Sequence, residues 1–140
     1  MHQLEIVQQI AALLAENGGK SVAVLGLTFK AGTDDLRDSP AIFIVQQLLN
    51  SGFAINAYDP TVTAKSNTLL DPINVCSSAK EAAQTSNLLV VLTEWPEFSE
   101  LDPSELTDVM VNQLIFDTRG IISKEKWTNS GFTVKILGRP

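Results

Sequence analysis

The sequence is poor in the residues that form disulfides, metal sites and acid–base pairs. Among its 140 residues there is one cysteine, Cys76, and one histidine, His2. A single cysteine excludes an intrachain disulfide and suits a reducing compartment, so we expect a cytoplasmic protein. Cys76 precedes a predicted helix and has no histidine nearby in the sequence, so a nucleophilic thiol is not the favoured interpretation. His2 stands alone near the terminus, and we predict no metal site.

Long apolar runs and positive charge are also scarce. No stretch approaches the roughly 18 uninterrupted apolar residues of a membrane span, and the N-terminus lacks a basic-then-apolar secretory pattern. The formal net charge is −6. This balance argues against a nucleic-acid partner, because such proteins usually carry a clustered basic surface. We therefore expect neither a membrane nor a nucleic acid as partner, and any bound anion must meet local cations.

The residues that are present are typical of one folded domain. The length fits a single core, and 44% hydrophobic with 19% charged residues is an ordinary globular composition. Residues 1–20 have apolar positions at helical spacing and end in Asn17-Gly18-Gly19, which predicts an opening helix. The predicted apolar stripe consists of Leu4, Val7, Ile10, Ala11 and Leu14.

After this helix, apolar runs alternate with segments of helical pattern. Strands are predicted at residues 21–26, 53–58, 87–92, 114–116 and 132–136, and helices at residues 39–49, 79–85, 103–110 and 123–129. The run at 21–26 is apolar from Val22 to Leu25 and is closed by a glycine, so we expect it to be a central strand buried on both faces. Alternation at this spacing indicates an α/β fold with a mostly parallel sheet covered on both faces.

Ligands of parallel sheets bind beyond the carboxyl ends of the strands, which makes the first such loop, residues 26–40, a candidate site. It contains Lys30 and Arg37 before a helix start, whose backbone amides can receive an anion. It lacks both the G-x-G-x-x-G fingerprint and the phosphate-loop pattern. Anion binding and a solvated charged loop stand as equal alternatives. Three acids are interpreted as capping and helix-terminus charges, not catalytic groups: Asp34, Asp35 and Asp38.

Three further strand ends have polar or aromatic residues. Asp59-Pro60 stands where a ribose-binding acid often lies, but a turn is favoured. Trp95 can stack on a ligand ring or close the core, and packing is favoured. Arg119, beside Gly120, can bind phosphate or ribose, or pair with Asp117.

Taken together and in order, these loops resemble the C-terminal domain of the UDP-glucose and GDP-mannose dehydrogenase family. The matching segments cover nearly everything after the first helix: GLTFKAGTDDLRDSP (26–40), AYDP (57–60), LTEWPEF (92–98), FDTRG (116–120) and LGR (137–139). The resemblance implies a Rossmann-like three-layer sandwich over residues 21–140. Residues 1–20 then resemble the end of the helix that connects this domain to a preceding NAD-binding domain.

The resemblance also implies roles for four residues. Phe29 and Lys30 match the F-K pair that contacts the substrate in this family, and Arg119 matches the arginine of a D-x-R segment that does the same. Arg37 matches an arginine that approaches NAD from this side of the interdomain cleft. The chemistry agrees, because a diphosphate needs fixed cations and Lys30 with Arg119 would supply them.

The family's glycine-rich NAD motif and nucleophilic cysteine do not occur in this chain. We therefore predict no catalytic residue here and expect the chain to be the substrate-nucleotide-binding part of a longer enzyme. The resemblance implies that the complete enzyme is a homo-oligomer of polysaccharide biosynthesis, in which NAD oxidises the C6 alcohol of UDP-glucose to a carboxylate. Open alternatives are GDP-mannose or UDP-N-acetylmannosamine as substrate, and a noncatalytic nucleotide-binding or interaction module.

Overall fold

The computed structural model describes residues 3–28, 39–62 and 73–138 and consists of alternating helices and strands. The helices are α1 (Gln3–Asn17), α2 (Pro40–Asn50), α3 (Ala79–Ala83), α4 (Pro96–Ser99), α5 (Ser104–Thr107) and α6 (Lys124–Asn129). The strands are β1 (Ser21–Leu25), β2 (Ala54–Tyr58), β3 (Asn74–Val75), β4 (Leu88–Val91), β5 (Leu114–Asp117) and β6 (Thr133–Ile136). The predicted α/β alternation is confirmed.

The strands form one sheet in which all described pairs are parallel. Its six strands have the order β3-β2-β1-β4-β5-β6. The chain therefore builds outward from β1 on one side and then crosses back to place β4 on the other edge of β1. Leu25 pairs with Tyr58 on one side and with Val91 on the other, which confirms β1 as a central strand. The seam between β1 and β4 is the topological switch point, beyond which sheets of this type bind ligands.

Two hydrophobic clusters, one on each face of the sheet, hold the layers together. Successive β1 side chains point to opposite faces, so Val22 and Val24 belong to one cluster while Ala23 and Leu25 belong to the other. The first cluster contains the buried faces of α1 and α2, and the second contains those of α3, α4, α5 and α6. This arrangement is the predicted three-layer sandwich, preceded by a helix.

The buried face of α1 differs in part from the predicted stripe. Ile6, Ile10 and Leu14 are buried, whereas Leu4 is 43% exposed. A helix repeats every 3.6 residues, so the line of contact that passes through Leu14 and Ile10 continues through Ile6 and leaves Leu4 on the outer side. The helix packs against α2 and the sheet, and the assignment of Leu4 to the buried stripe was wrong.

Other elements differ in extent from the sequence-based prediction. The strand β3 and the short helix α4 were not predicted, and α5 covers only part of the predicted 103–110 helix. Elements this short have too little hydrophobic periodicity to be recognised from sequence. Within the described segments, no helix combines the length and the apolar character needed to cross a membrane.

Candidate functional site

Four loops meet at the carboxyl ends of the central strands. They follow β2, β1, β4 and β5, which are neighbours in the sheet, so the loops lie side by side along one rim. We call residues 26–28, 59–62, 92–95 and 118–122 the strand-end rim. Four of the segments that carry the family resemblance overlap this rim, and it contains Arg119.

Asp59 joins the loop after β2 to the loop after β1. Its side chain is 1% exposed, and its Oδ2 accepts hydrogen bonds from the backbone N–H groups of Leu27 (2.8 Å) and Thr28 (3.2 Å). Its Oδ1 accepts a hydrogen bond from Thr61 N at 2.9 Å, which is the geometry of an Asx turn. The turn interpretation is confirmed. Because donors of the chain occupy both oxygens, this carboxylate is not available to ribose hydroxyls in this conformation.

Asp117 organises the loop after β5 in a similar way. It is fully buried. Its Oδ1 accepts from the backbone N–H groups of Arg119 at 2.8 Å and Gly120 at 2.9 Å, and its Oδ2 accepts from Ile121 at 2.7 Å and Ile122 at 2.9 Å. Four amides from successive residues therefore converge on one carboxylate. This set of charge-assisted hydrogen bonds fixes the main chain on both sides of the Arg119 side chain.

The Arg119 side chain pairs with Glu94, which follows the adjacent strand β4. Its Nε donates to Glu94 Oε2 at 2.8 Å, and its Nη2 donates to the same oxygen. The two side chains are 44% and 40% exposed, so the ion pair lies at the surface of the rim. The predicted alternative of a side-chain pair with Asp117 is wrong, because Asp117 bonds to the Arg119 backbone and not to its guanidinium.

Thr118 attaches the Arg119 loop to the end of β4. Its hydroxyl donates to the Val91 carbonyl oxygen at 2.6 Å, and its N–H donates to the same oxygen at 3.1 Å. The left-handed residue of this loop is Gly120, with φ 72°, so the chain turns there without strain on a side chain. The loop after β5 is thus attached to the neighbouring strand as well as to its own aspartate.

Gly26 and Thr93 meet across the switch point between β1 and β4. Gly26 has φ 102°, and a Cβ atom built on it would overlap the Thr93 side chain. The Thr93 hydroxyl is buried and has no hydrogen-bond partner in the described part of the chain. This close approach explains why a glycine follows β1, since any larger residue would separate the two central strand ends.

The start of α2 offers few backbone amides to an anion. Pro40 has no N–H, Ser39 Oγ accepts from Ile42 N at 3.4 Å, and Phe43 N donates to Ser39 O. The remaining amide of the first turn belongs to Ala41, which is 2% exposed. Of the two alternatives for this loop, the structure therefore does not favour an anion site at the helix start. The N-cap is Ser39. The three acids that were predicted to cap this helix start lie outside the described residues.

Trp95 and Cys76 have structural positions. Trp95 is partly buried against the second hydrophobic cluster, which confirms the packing interpretation, although its buried Nε1 has no partner among the described residues.

Cys76 is 6% exposed, and burial, followed by the charge of Glu81, raises the pKa of its thiol. A raised pKa opposes the thiolate form that a nucleophile requires, in agreement with the non-catalytic interpretation.

A cleft of about 380 Å³ lies at the ends of β2 and β3, where one end of the rim forms part of its wall. Its lining includes apolar and acidic groups: Tyr58, Asp59, Pro60, Val62, Val75, Cys76, Ser77 and Glu81. The Tyr58 hydroxyl donates to Glu97 Oε2 at 2.6 Å. The acidic groups around this cleft make it a poor receptor for phosphate.

Of the four predicted site residues, Arg119 lies in the described part of the chain. Phe29, Lys30 and Arg37 lie outside the described residues, so their roles stay predictions. Sequence reasoning missed Glu94 as the partner of Arg119 and Asp117 as the acceptor for the loop. The available signal was that both residues stand at the ends of predicted strands. The contact of Glu94 with Arg119, however, requires β4 and β5 to be neighbours in the sheet. In the described segments, no group of three or more potential ligand residues has the arrangement of a metal site.

Comparison with known proteins gives consistent matches. Residues 23–124 match the UDP-glucose/GDP-mannose dehydrogenase family, UDP binding domain. The UDP-glucose 6-dehydrogenase of Rhizobium meliloti is 40% identical over 131 residues, which are 94% of this chain and 30% of that protein. The UDP-N-acetyl-D-mannosamine dehydrogenase of Methanocaldococcus jannaschii is 32% identical over 138 residues, which are 96% of this chain and 30% of that protein.

A solved structure has the same architecture. The UDP-N-acetyl-mannosamine dehydrogenase of Staphylococcus aureus superimposes with a TM-score of 0.81 at 26% identity, over 98% of this chain and 31% of that one. The chain therefore spans about 30% of the length of the relatives that it matches.

Proposed function

The chain belongs to the UDP-glucose/GDP-mannose dehydrogenase family, in its UDP-binding domain, and from this membership we propose that its strand-end rim binds the nucleotide of a nucleotide-sugar substrate. Arg119 is the observation that carries the proposal. It is a partly exposed cation at the ligand-binding end of a parallel sheet, on a loop that Asp117 holds in place. UDP-glucose is the proposed substrate, because the matched relatives at 40% identity include UDP-glucose 6-dehydrogenases.

The electrostatics support an anionic ligand at this point of the rim. The chain has a formal net charge of −6, so long-range attraction for a diphosphate is unfavourable and a local cation is required. A guanidinium presents forked donors that match phosphate oxygens. Lys30 is the proposed second cation, and Phe29 completes the proposed substrate contacts.

We propose that the oxidation itself takes place in a longer protein. Relatives of this chain are dehydrogenases about three times its length, since it covers 30% of them. NAD is the proposed oxidant, and its chemistry is hydride acceptance from the sugar C6. The described residues of this sheet do not suit NAD, because the Asp59 carboxylate that would meet its ribose already accepts from Leu27 and Thr28.

NAD is therefore assigned to a preceding domain in the proposal, with Arg37 approaching it across the interdomain cleft. The proposed partners are that domain and further copies of the same chain in a homo-oligomer. The proposed location is the cytoplasm, where nucleotide sugars and NAD are both available. No catalytic residue is assigned to this chain.

Nucleotide binding is tested by NMR titration of the chain with UDP, GDP and NAD in separate experiments. We expect UDP to shift the backbone amides of residues 117–122 selectively. Arg119→Ala should weaken UDP binding by about tenfold or more, because hydrogen bonds to a charged group contribute about 1.5–3 kcal/mol. Lys124→Ala is the matched control, since it removes an equal charge from an exposed position of α6 and should change affinity less than about twofold.

Two results would change the proposal. Stronger shifts with GDP than with UDP would still indicate a nucleotide site, but its base would be guanine and not uracil. Equal losses of affinity in Arg119→Ala and Lys124→Ala would contradict a specific site, because only the general charge of the chain would then matter.

A further inference from the structure

We propose that Glu94 is a positioning residue that holds the Arg119 guanidinium by one edge and leaves another edge available to a phosphate of the nucleotide. This inference rests on the proposed function of Arg119. It adds a residue that sequence reasoning did not select and that the family resemblance does not assign. It also assigns a role in ligand binding to the surface ion pair of Glu94 with Arg119.

The geometry of the pair leaves the guanidinium only partly occupied. One carboxylate oxygen of Glu94 accepts from both Nε and Nη2 of Arg119. A guanidinium has five N–H groups, and the edge formed by Nη1 and the outer hydrogen of Nη2 is a second forked donor. None of the described residues accepts from that edge. A phosphate can therefore bind it bidentately without displacing Glu94.

The rest of the Arg119 residue is fixed as well. Its backbone N–H donates to Asp117, and the preceding Thr118 is attached to Val91 O. Glu94 adds a third point of attachment at the far end of the side chain. A free arginine side chain loses rotamer entropy when it is ordered. Ordering it before the ligand arrives lowers the entropic cost of binding.

Glu94 has a second effect of opposite sign. Its negative charge lies next to the proposed phosphate position and weakens attraction for an anion, while the positioning strengthens binding. Two substitutions separate these effects. Glu94→Gln removes the charge and keeps a side-chain oxygen that can accept from Nε and Nη2, whereas Glu94→Ala removes both.

The first experiment measures UDP affinity of the full chain by calorimetry. We expect Glu94→Gln to bind UDP at least as tightly as the unmodified chain, and Glu94→Ala to bind about 3- to 10-fold more weakly than Glu94→Gln. Glu100→Ala, a substitution of an exposed acid of the same region, should bind at least as tightly as the unmodified chain. The proposal is overturned if Glu94→Ala binds as tightly as Glu94→Gln or more tightly, because Glu94 would then only compete with the ligand.

The same pair of substitutions is then made in an Arg119→Ala background. If Glu94 acts through Arg119, the difference between the Ala and Gln variants should disappear. A difference that persists without Arg119 would show that Glu94 acts elsewhere. If Arg119→Ala alone leaves UDP affinity unchanged, the proposed function fails, and that result is distinct from a failure of the positioning role.

A third measurement needs no ligand. The Arg119 Nε–H group should give a slowly exchanging NMR signal in the unmodified chain and in Glu94→Gln, and a fast-exchanging signal in Glu94→Ala. Both side chains of the pair are more than a third exposed, and such surface pairs contribute little to folding, so all variants should remain folded. An Nε–H exchange rate that is the same in all three proteins would overturn the positioning role.

Discussion

Asp59 and Asp117 are acidic side chains with almost no contact with solvent, and each lies directly at the end of a strand. A buried carboxylate is unfavourable unless hydrogen-bond donors surround it. Here the donors are loop amides, including Leu27 N for Asp59 and Ile121 N for Asp117. Each hydrogen bond thus satisfies two groups, because the loop amide obtains an acceptor and the buried carboxylate obtains a donor. Their role at the rim is to give the loops one conformation.

Tyr58 provides a residue-level test, since it is the single tyrosine in the sequence. Burial, and then the hydrogen bond and charge of Glu97, raise its pKa from 10.0 to about 12. A spectrophotometric titration of tyrosinate absorbance should therefore give a midpoint well above the ordinary value. Glu97→Gln should lower the midpoint but leave it above 10.0, because burial is the largest cause.

The same shift has a consequence for stability in alkali. The folded-state pKa of Tyr58 lies above the unfolded value of 10.0, so its contribution is fully present below pH 10 and is lost as the pH rises through about 12. Tyr58→Phe should remove this part of the alkaline loss in denaturant unfolding. A tyrosinate midpoint near 10.0 in the folded protein would contradict the contact with Glu97 and the burial of the ring.

At the level of elements, the close approach of β1 and β4 predicts an intolerance to substitution. Gly26→Ala adds a Cβ atom that overlaps Thr93, at a position with φ 102°. Gly52→Ala is the matched control, because Gly52 has φ 93° but nothing within 4 Å of the added atom. Backbone strain alone costs about 1–2 kcal/mol. We expect Gly26→Ala to lose at least about 2 kcal/mol more than Gly52→Ala, because overpacking is added to strain.

Urea unfolding followed by tryptophan fluorescence measures both variants. Equal losses in the two proteins would mean that the switch point can open to accept a side chain. The rim would then be more adaptable than its hydrogen bonds suggest.

The elements differ in how far the sequence could predict them. The strand β4 is apolar throughout and β1 is apolar after Ser21, because both faces of the sheet are covered, and this pattern is visible in the sequence. The strand β3 has two residues, and its formation depends on pairing with β2, which no local pattern reveals. The pairing of Glu94 with Arg119 likewise depends on which strands are neighbours. The sequence contains both residues, but it does not reveal that they are in contact.

The capping of α2 was partly predictable. Ser39-Pro40 marks the helix start in the sequence, and the structure has Ser39 as the N-cap and Pro40 in the first turn. Anion binding at this start was one of two equal alternatives, and the structure does not favour it, because an anion site depends on amides that remain free after capping. Proline, the serine cap and burial leave too few of them. A capping pattern in a sequence therefore predicts where a helix begins, but not whether the helix start binds a ligand.

For the whole molecule, α1 is part of the core and not an appendage. Ile10 is fully buried in the cluster that also contains α2 and one face of the sheet. Ile10→Ala should therefore destabilise the protein by about 2–5 kcal/mol. Leu4→Ala, on the same helix at a position 43% exposed, should cost less than about 1 kcal/mol.

Chemical denaturation of the two variants, compared with the unmodified chain, makes this test. If Ile10→Ala is no more harmful than Leu4→Ala, the helix does not pack on the sheet as described. The boundary that we predicted after residue 20 would then separate two independent units. A large difference would support treating residues 3–138 as one cooperative unit.

The parallel arrangement of the sheet has a consequence for the order in which the chain acquires its shape. No neighbouring strands among those described are joined by a hairpin, and the contact of Ser21 with Asn87 joins residues 66 apart. During synthesis β1 leaves the ribosome well before β4, so the backbone groups on one edge of β1 stay unpaired until β4 has been made. Such an edge can recruit a strand from another chain. During folding, β4 of the same chain therefore competes with strands of other chains for this edge of β1. A lower protein concentration favours pairing within the chain.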